Sequence, residues 1–72
     1  MNRDTLKGQW TQLKGRIRQQ WGRLTDDELD QIQGDSETLV GKLQERYGRT
    51  REQAEQEVER WLQQEGRESK AS

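Results

Sequence analysis

Apolar residues recur at Leu6, Trp10, Leu13, Ile17, Trp21 and Leu24, three or four positions apart. That spacing puts them on one stripe of an α-helix and does not fit the alternation of a half-buried strand. Gly8 weakens the first turn, so the secure start lies near Gln9, and Gly22 stands where a left-handed residue would end the helix. Thr25-Asp26-Asp27-Glu28 then has the form of a capping box. The Thr25 hydroxyl can accept a first-turn N–H and Glu28 can reach back to the Thr25 N–H. It predicts a short second helix with Leu29 and Ile32 inward, ending at Gly34. Asp35 or Ser36 caps a third helix with Leu39, Val40, Leu43 and Tyr47 on its apolar face, closed by Gly48. Thr50-Arg51-Glu52-Gln53 is a second capping box, opening a fourth helix with Ala54, Val58, Trp61 and Leu62 on one face. Beyond Gln64 the segment EGRESKAS has no apolar period and reads as a disordered polar tail.

The pattern contains a repeat. Residues 8–23, GQWTQLKGRIRQQWGR, align with residues 34–49, GDSETLVGKLQERYGR, at an offset of 26. Gly8/Gly34, Leu13/Leu39, Gly15/Gly41, Gly22/Gly48 and Arg23/Arg49 are identical; Arg16/Lys42, Ile17/Leu43 and Trp21/Tyr47 are conservative. Each copy therefore reads as a helix ending in Gly and followed by a capped partner. The predicted architecture is all-α, one four-helix domain over residues 1–64 made of two hairpins packed together, with residues 65–72 as the tail. Two copies fall short of the ~3 repeats a solenoid needs.

Composition limits the core that these stripes can build. Of 72 residues, 25% are hydrophobic and 38% charged, with no Pro, Cys or His and a net charge of −1. Mean hydropathy is −1.53. So polar a chain invites disorder, but its low net charge and regular apolar spacing favour folding. Without disulfides or a metal-ligand pattern, three Trp and one Tyr must supply most of the burial. The expected core is Trp10, Leu13, Ile17, Trp21, Leu39, Leu43, Tyr47, Val58 and Trp61. Gly15 and Gly41 interrupt good helices, which suggests close approach of a neighbour to bare backbone, so that a large side chain at Gly41 would destabilise. With Gly22 and Gly48 as helix ends, these four are the expected structural glycines.

Catalytic and cofactor chemistry finds little footing. Lack of Cys and His removes thiolate chemistry, the commonest metal ligand and the usual base for a serine nucleophile. Gly34 to Gly41-Lys42 resembles a P-loop, but six residues intervene where the motif has four, and Leu43 replaces the hydroxyl that would hold magnesium. Asp26, Asp27, Glu28 and Asp30 do not form an EF-hand loop, whose sixth position would be Gln31; they suit the positive end of a helix dipole. No catalytic residue, cofactor or metal site is expected. There is no apolar run of the ~20 residues a membrane span requires, and MNRDTLKGQW lacks the apolar stretch of a signal peptide. A cytoplasmic monomer is the expectation.

The stretches Trp10-x-x-Leu13-Lys14-Gly15, Gln20-Trp21-Gly22-x-Leu24-Thr25-Asp26-Asp27, Leu39-Val40-Gly41-Lys42-Leu43-Gln44-Glu45-Arg46-Tyr47-Gly48 and Ala54-Glu55-x-Glu57-Val58 together resemble the bacterial CsbD-like general stress-response proteins. The resemblance covers about residues 1–62. It implies a small all-α domain of two hairpins, in a bacterial cytoplasmic protein that accumulates under stress. No catalytic residues come with it, and the longer polar C-terminal tail departs from the usual pattern.

Charge is unevenly distributed. Residues 1–25 hold six cations against Asp4, a net of +5, and residues 26–45 hold seven anions against Lys42, a net of −6. The favoured reading is internal complementarity, a basic helix lying beside acidic ones. The sharper alternative is a partner-binding basic face of Lys14, Arg16, Arg18 and Arg23 near Trp10 or Trp21. Against nucleic acid stand the acidic pI near 5.4 and the helical spacing of the Trp residues, which assigns them to the core first. The sequence therefore favours a non-enzymatic stress-response protein that protects or binds an unidentified macromolecule. An adaptor for nucleic acid or a protein partner, working through the basic helix, is the second reading.

Overall fold

The apolar stripes and caps build helices throughout. A computed structural model describes residues 3–71, with side chains over residues 6–65. Among these are five helices and no strand: α1 (Arg3–Gly8), α2 (Trp10–Gln20), α3 (Asp26–Ile32), α4 (Ser36–Tyr47) and α5 (Arg51–Ala71). Residues 1–2 of the expected domain and Ser72 of the expected tail lie outside the described residues.

The extra helix arises from a break at Gln9, whose φ of −115° and ψ of 23° leave the helical region. The Gln9 carbonyl still accepts the N–H groups of Gln12 and Leu13 and starts α2. The chain thereby turns, and α1 packs against α2, α4 and α5, while α4 packs on both α3 and α5. Leu6 on α1 is completely buried. The core joins it to Leu13, Ile17, Trp21, Leu24, Leu29, Ile32, Leu39, Val40, Leu43, Ala54, Val58, Trp61 and Leu62, with Trp10 and Tyr47 partly buried at the margin.

Both capping boxes are formed. At α3 the Glu28 N–H donates to Thr25 Oγ1 at 3.2 Å and the Thr25 N–H to Glu28 Oε1 at 3.1 Å. At α5 the Gln53 N–H donates to Thr50 Oγ1 and the Thr50 N–H to Gln53 Oε1, both at 3.1 Å. Asp35 caps α4, accepting from the Glu37 N–H and the Thr38 hydroxyl. Gly48 closes α4 with a φ of +66°.

Three expectations change. Gly22 is not the left-handed stop of α2: the helix ends at Gln20 and is capped by Trp21, with a φ of −122° and its N–H on the Ile17 carbonyl. A following turn, the Leu24 N–H on the Trp21 carbonyl, brings both apolar side chains inward. α5 does not stop at Gln64 but runs to Ala71. Its good helix formers carry it on, and Glu65, the first residue of the expected tail, is only 7% exposed and paired with Arg16 on α2. At 21 residues, a helix is about 31 Å long, nearly the 33 Å long dimension of the molecule.

The third concerns the glycines. A Cβ added to Gly15 or Gly41 meets no atom of a neighbouring element within 4 Å among the described residues. Neither site is a close approach. With open space and helical backbone, Gly15→Ala and Gly41→Ala should each raise stability by about 0.5–1 kcal/mol. Chemical denaturation of each variant measures the gain; a loss at Gly41 would restore the packing interpretation. The close approach falls instead at Gly34, where the added Cβ would lie 2.6 Å from the Lys7 Cα.

Candidate functional site

The four cations of the expected basic face are held by the protein itself. Lys14 Nζ lies 2.7 Å from Asp30 Oδ1, Arg18 pairs with Asp26, and Arg16 pairs with the buried Glu65. The Asp30 carboxylate beside Lys14 shifts that ammonium upward. Arg23 donates its backbone N–H to the Tyr47 hydroxyl oxygen at 3.1 Å, and Nη1 to the Arg46 carbonyl at 3.3 Å. Lys14, Arg16 and Arg18 on α2 thus meet acids on α3 and α5, while Arg23 in the turn meets the end of α4. Two members of the acidic cluster, Asp26 and Asp30, are spent on these pairs.

A third member is buried. Glu28 is 4% exposed, yet ionised: Oε2 accepts from Arg46 Nε at 2.8 Å while Oε1 closes the Thr25 capping box. The Arg46 guanidinium, and next the Thr25 N–H, hold its carboxyl below the usual glutamate range, against the opposing effect of burial. The folded state therefore binds this proton more weakly than the unfolded chain. Its stabilisation is complete above the ordinary glutamate pKa of about 4.3 and is lost as pH falls through the lower folded value. Glu28→Gln keeps the shape and removes the charge. We expect a Tm roughly 5 °C lower at neutral pH, with the gap to the unsubstituted protein narrowing toward pH 3. A gap independent of pH would sink the assignment.

Next to this pair, two guanidiniums approach the Tyr47 ring, with Arg23 Cζ 5.5 Å and Arg49 Cζ 5.9 Å from its centroid. Arg49 reaches on to Glu57 through Nε at 2.9 Å, and Glu57 Oε1 accepts a long 3.5 Å bond from Trp21 Nε1. Trp21 and Trp61 meet at 5.6 Å with their planes tilted by 55°. The turn after α2, the end of α4 and the start of α5 are thus joined through aromatic rings and charges.

These groups position helices. Both carboxylate oxygens of Glu28 accept hydrogen bonds, from Arg46 and from Thr25. Among the described residues no group of three or more His, Cys, Asp or Glu could hold a metal ion, and no helix is long and apolar enough to cross a membrane. The predicted core residues lie in the core or, for Trp10 and Tyr47, at its edge. Sequence reasoning missed Glu28 and Glu65 as buried acids. The capping-box spacing located Glu28, but nothing local indicated Arg46, 18 positions away.

Comparison with known proteins places this scaffold. A family model described as CsbD-like matches residues 4–56, a span holding both capping boxes, Glu28, Arg46 and Tyr47. The chain belongs to the CsbD-like family. Among the relatives of this CsbD-like protein, a UPF0337 protein of Pseudomonas aeruginosa is 60% identical over 58 residues, covering 81% of this chain and 89% of that protein. The UPF0337 protein YjbJ of Escherichia coli K12 is 52% identical over 61 residues, 85% of this chain and 88% of its own length. A UPF0337 protein of Pectobacterium atrosepticum shares the same identity and coverage. No solved structure matches the chain. The CsbD-like match ends within α5, so Trp61 and Glu65 lie beyond it.

Proposed function

We propose that this CsbD-like protein is a non-enzymatic stress-response protein of the bacterial cytoplasm, a small hydrophilic helical domain that protects or binds other macromolecules. The observation that carries the reading is the surface: no large hydrophobic side chain is exposed among the described residues. Such a surface stays hydrated and offers no apolar patch for self-association. It can separate aggregating partners without joining them. Residues 1–64 serve as the protective body, with the two copies of the repeat as hairpins that need each other. The pairing of Lys14, Arg16 and Arg18 with acids of the same chain leaves the basic helix little free charge for a phosphate backbone.

The test is drying of lactate dehydrogenase with this protein or with an equal mass of an unrelated soluble protein. Greater recovery of activity with the CsbD-like protein is expected; recovery no better than the control overturns the proposal. A second arm changes Arg16, Arg18 and Arg23 to Gln and verifies helicity by circular dichroism. Protection should persist in the folded variant, and its loss would point to a basic-face adaptor.

A further inference from the structure

The arginines with described side chains are committed to partners with one exception, and that exception marks a site. Arg18, Arg23, Arg46, Arg49 and Arg51 make ion pairs or hydrogen bonds within the chain, as does Arg16. Among arginines with described side chains, Arg60 alone makes none. It stands where two adjoining clefts meet along α5. One, of about 230 Å³, is lined by Arg49, Gln53, Gln56, Glu57 and Arg60. The other, of about 200 Å³, is lined by Gln20, Glu57, Arg60, Trp61 and Gln64.

The α5 residues of both clefts fall at positions 53, 56, 57, 60, 61 and 64, a single stripe of the helix. Arg49 reaches this stripe because Glu57 holds its Nε, which leaves both of its terminal nitrogens without a hydrogen bond among the described residues. Glu57 is itself engaged by Arg49 and Trp21, and Arg60 lies one helical turn farther on. The clefts thus contain two guanidiniums against one carboxylate. Glutamine side chains, donors and acceptors at once, surround them, and Trp61 forms part of one wall.

We propose that this surface is a binding site for a small oxyanion, a carboxylate or phosphate, held between Arg49 and Arg60. The Gln20, Gln56 and Gln64 amides would take the hydroxyl or amide groups such a molecule carries. Planar guanidiniums match two-oxygen anions with paired hydrogen bonds. Their excess of one positive charge over Glu57 favours an anion over a neutral molecule. The two clefts together are at the low end of the roughly 300–1,000 Å³ of ligand pockets, which suits a small metabolite and not a polymer.

The experiment is a two-dimensional amide NMR titration of the full chain with acetate and, separately, inorganic phosphate, at constant ionic strength set with chloride. Saturable shifts confined to residues 49–64 and the end of α2 are expected with at least one anion. The arm that saturates at lower concentration identifies carboxylate or phosphate as the preferred group. Arg60→Gln should weaken binding at least tenfold without lowering Tm, because Arg60 makes no hydrogen bond or ion pair among the described residues. Lys42→Gln, removing a cation elsewhere, should leave it unchanged. Shifts scattered over all cations, failure of both anions to saturate, or equal binding by Arg60→Gln would overturn the site.

Discussion

Trp21→Ala should cost about 3–5 kcal/mol, the usual range for removing a large aromatic from a core. At roughly 0.05–0.15 kcal/mol per residue, a 72-residue domain has a total stability of about 4–11 kcal/mol, so the substitution removes roughly a quarter of it or more. Trp21 is 2% exposed, at the end of α2, against Trp61 of α5. Its loss opens a cavity where three segments meet: α2, the turn to Leu24, and α5. Each 1 kcal/mol shifts Tm by roughly 4–8 °C in a domain this small, so the variant should melt at least ~12 °C lower or be unfolded at 25 °C. Thermal unfolding followed by far-ultraviolet circular dichroism measures this. Trp21→Phe keeps a ring against Trp61 while losing part of the indole's volume and the long bond to Glu57, so part of the stability should return. A cooperative, near-native transition for Trp21→Ala would refute the core role.

What could be read from the sequence follows from the range of the interactions. Thr25, Glu28, Thr50 and Gln53 declare their caps within four residues, and both boxes close in the structure. The apolar stripes of α2, α4 and α5 are likewise local, and their residues meet in one core. Long-range chemistry was less legible. A glutamate in a hydrophilic chain reads as surface, and only the fold brings Arg46 to Glu28 and Arg16 to Glu65. The basic N-terminal half suggested a partner-binding face because its counter-charges lie up to 49 positions away. Glycine was the least legible residue. One code serves for a helix end at Gly48, an open helical position at Gly41 and a tight contact at Gly34, and the repeat disguised the difference by aligning them. The spare arginine in the α5 clefts is visible only once every other pair has been assigned.

Gly34→Ala should be the most damaging substitution of a single methyl group. Two costs combine there. The backbone has a φ of +82°, where any Cβ is strained, a penalty of about 1–2 kcal/mol. The Cβ would also stand 2.6 Å from the Lys7 Cα and 3.3 Å from the Leu6 carbonyl oxygen. These are backbone atoms, so no side-chain rotation relieves the clash; α1 must move away, drawing the buried Leu6 with it. Overpacking of this kind costs a further 1–3 kcal/mol, roughly, and the sum approaches that of Trp21→Ala. Gly48→Ala supplies the control. Its φ of +66° imposes the same conformational strain, but an added Cβ there meets nothing within 4 Å among the described residues. Denaturant unfolding of the two variants should therefore differ by the steric term alone, with Gly34→Ala less stable by about 1–3 kcal/mol. Equal losses would mean that α1 does not rest on the α3–α4 turn. A larger loss at Gly34, with exchange protection falling first in α1, would identify that turn as the seat on which the N-terminal helix is held.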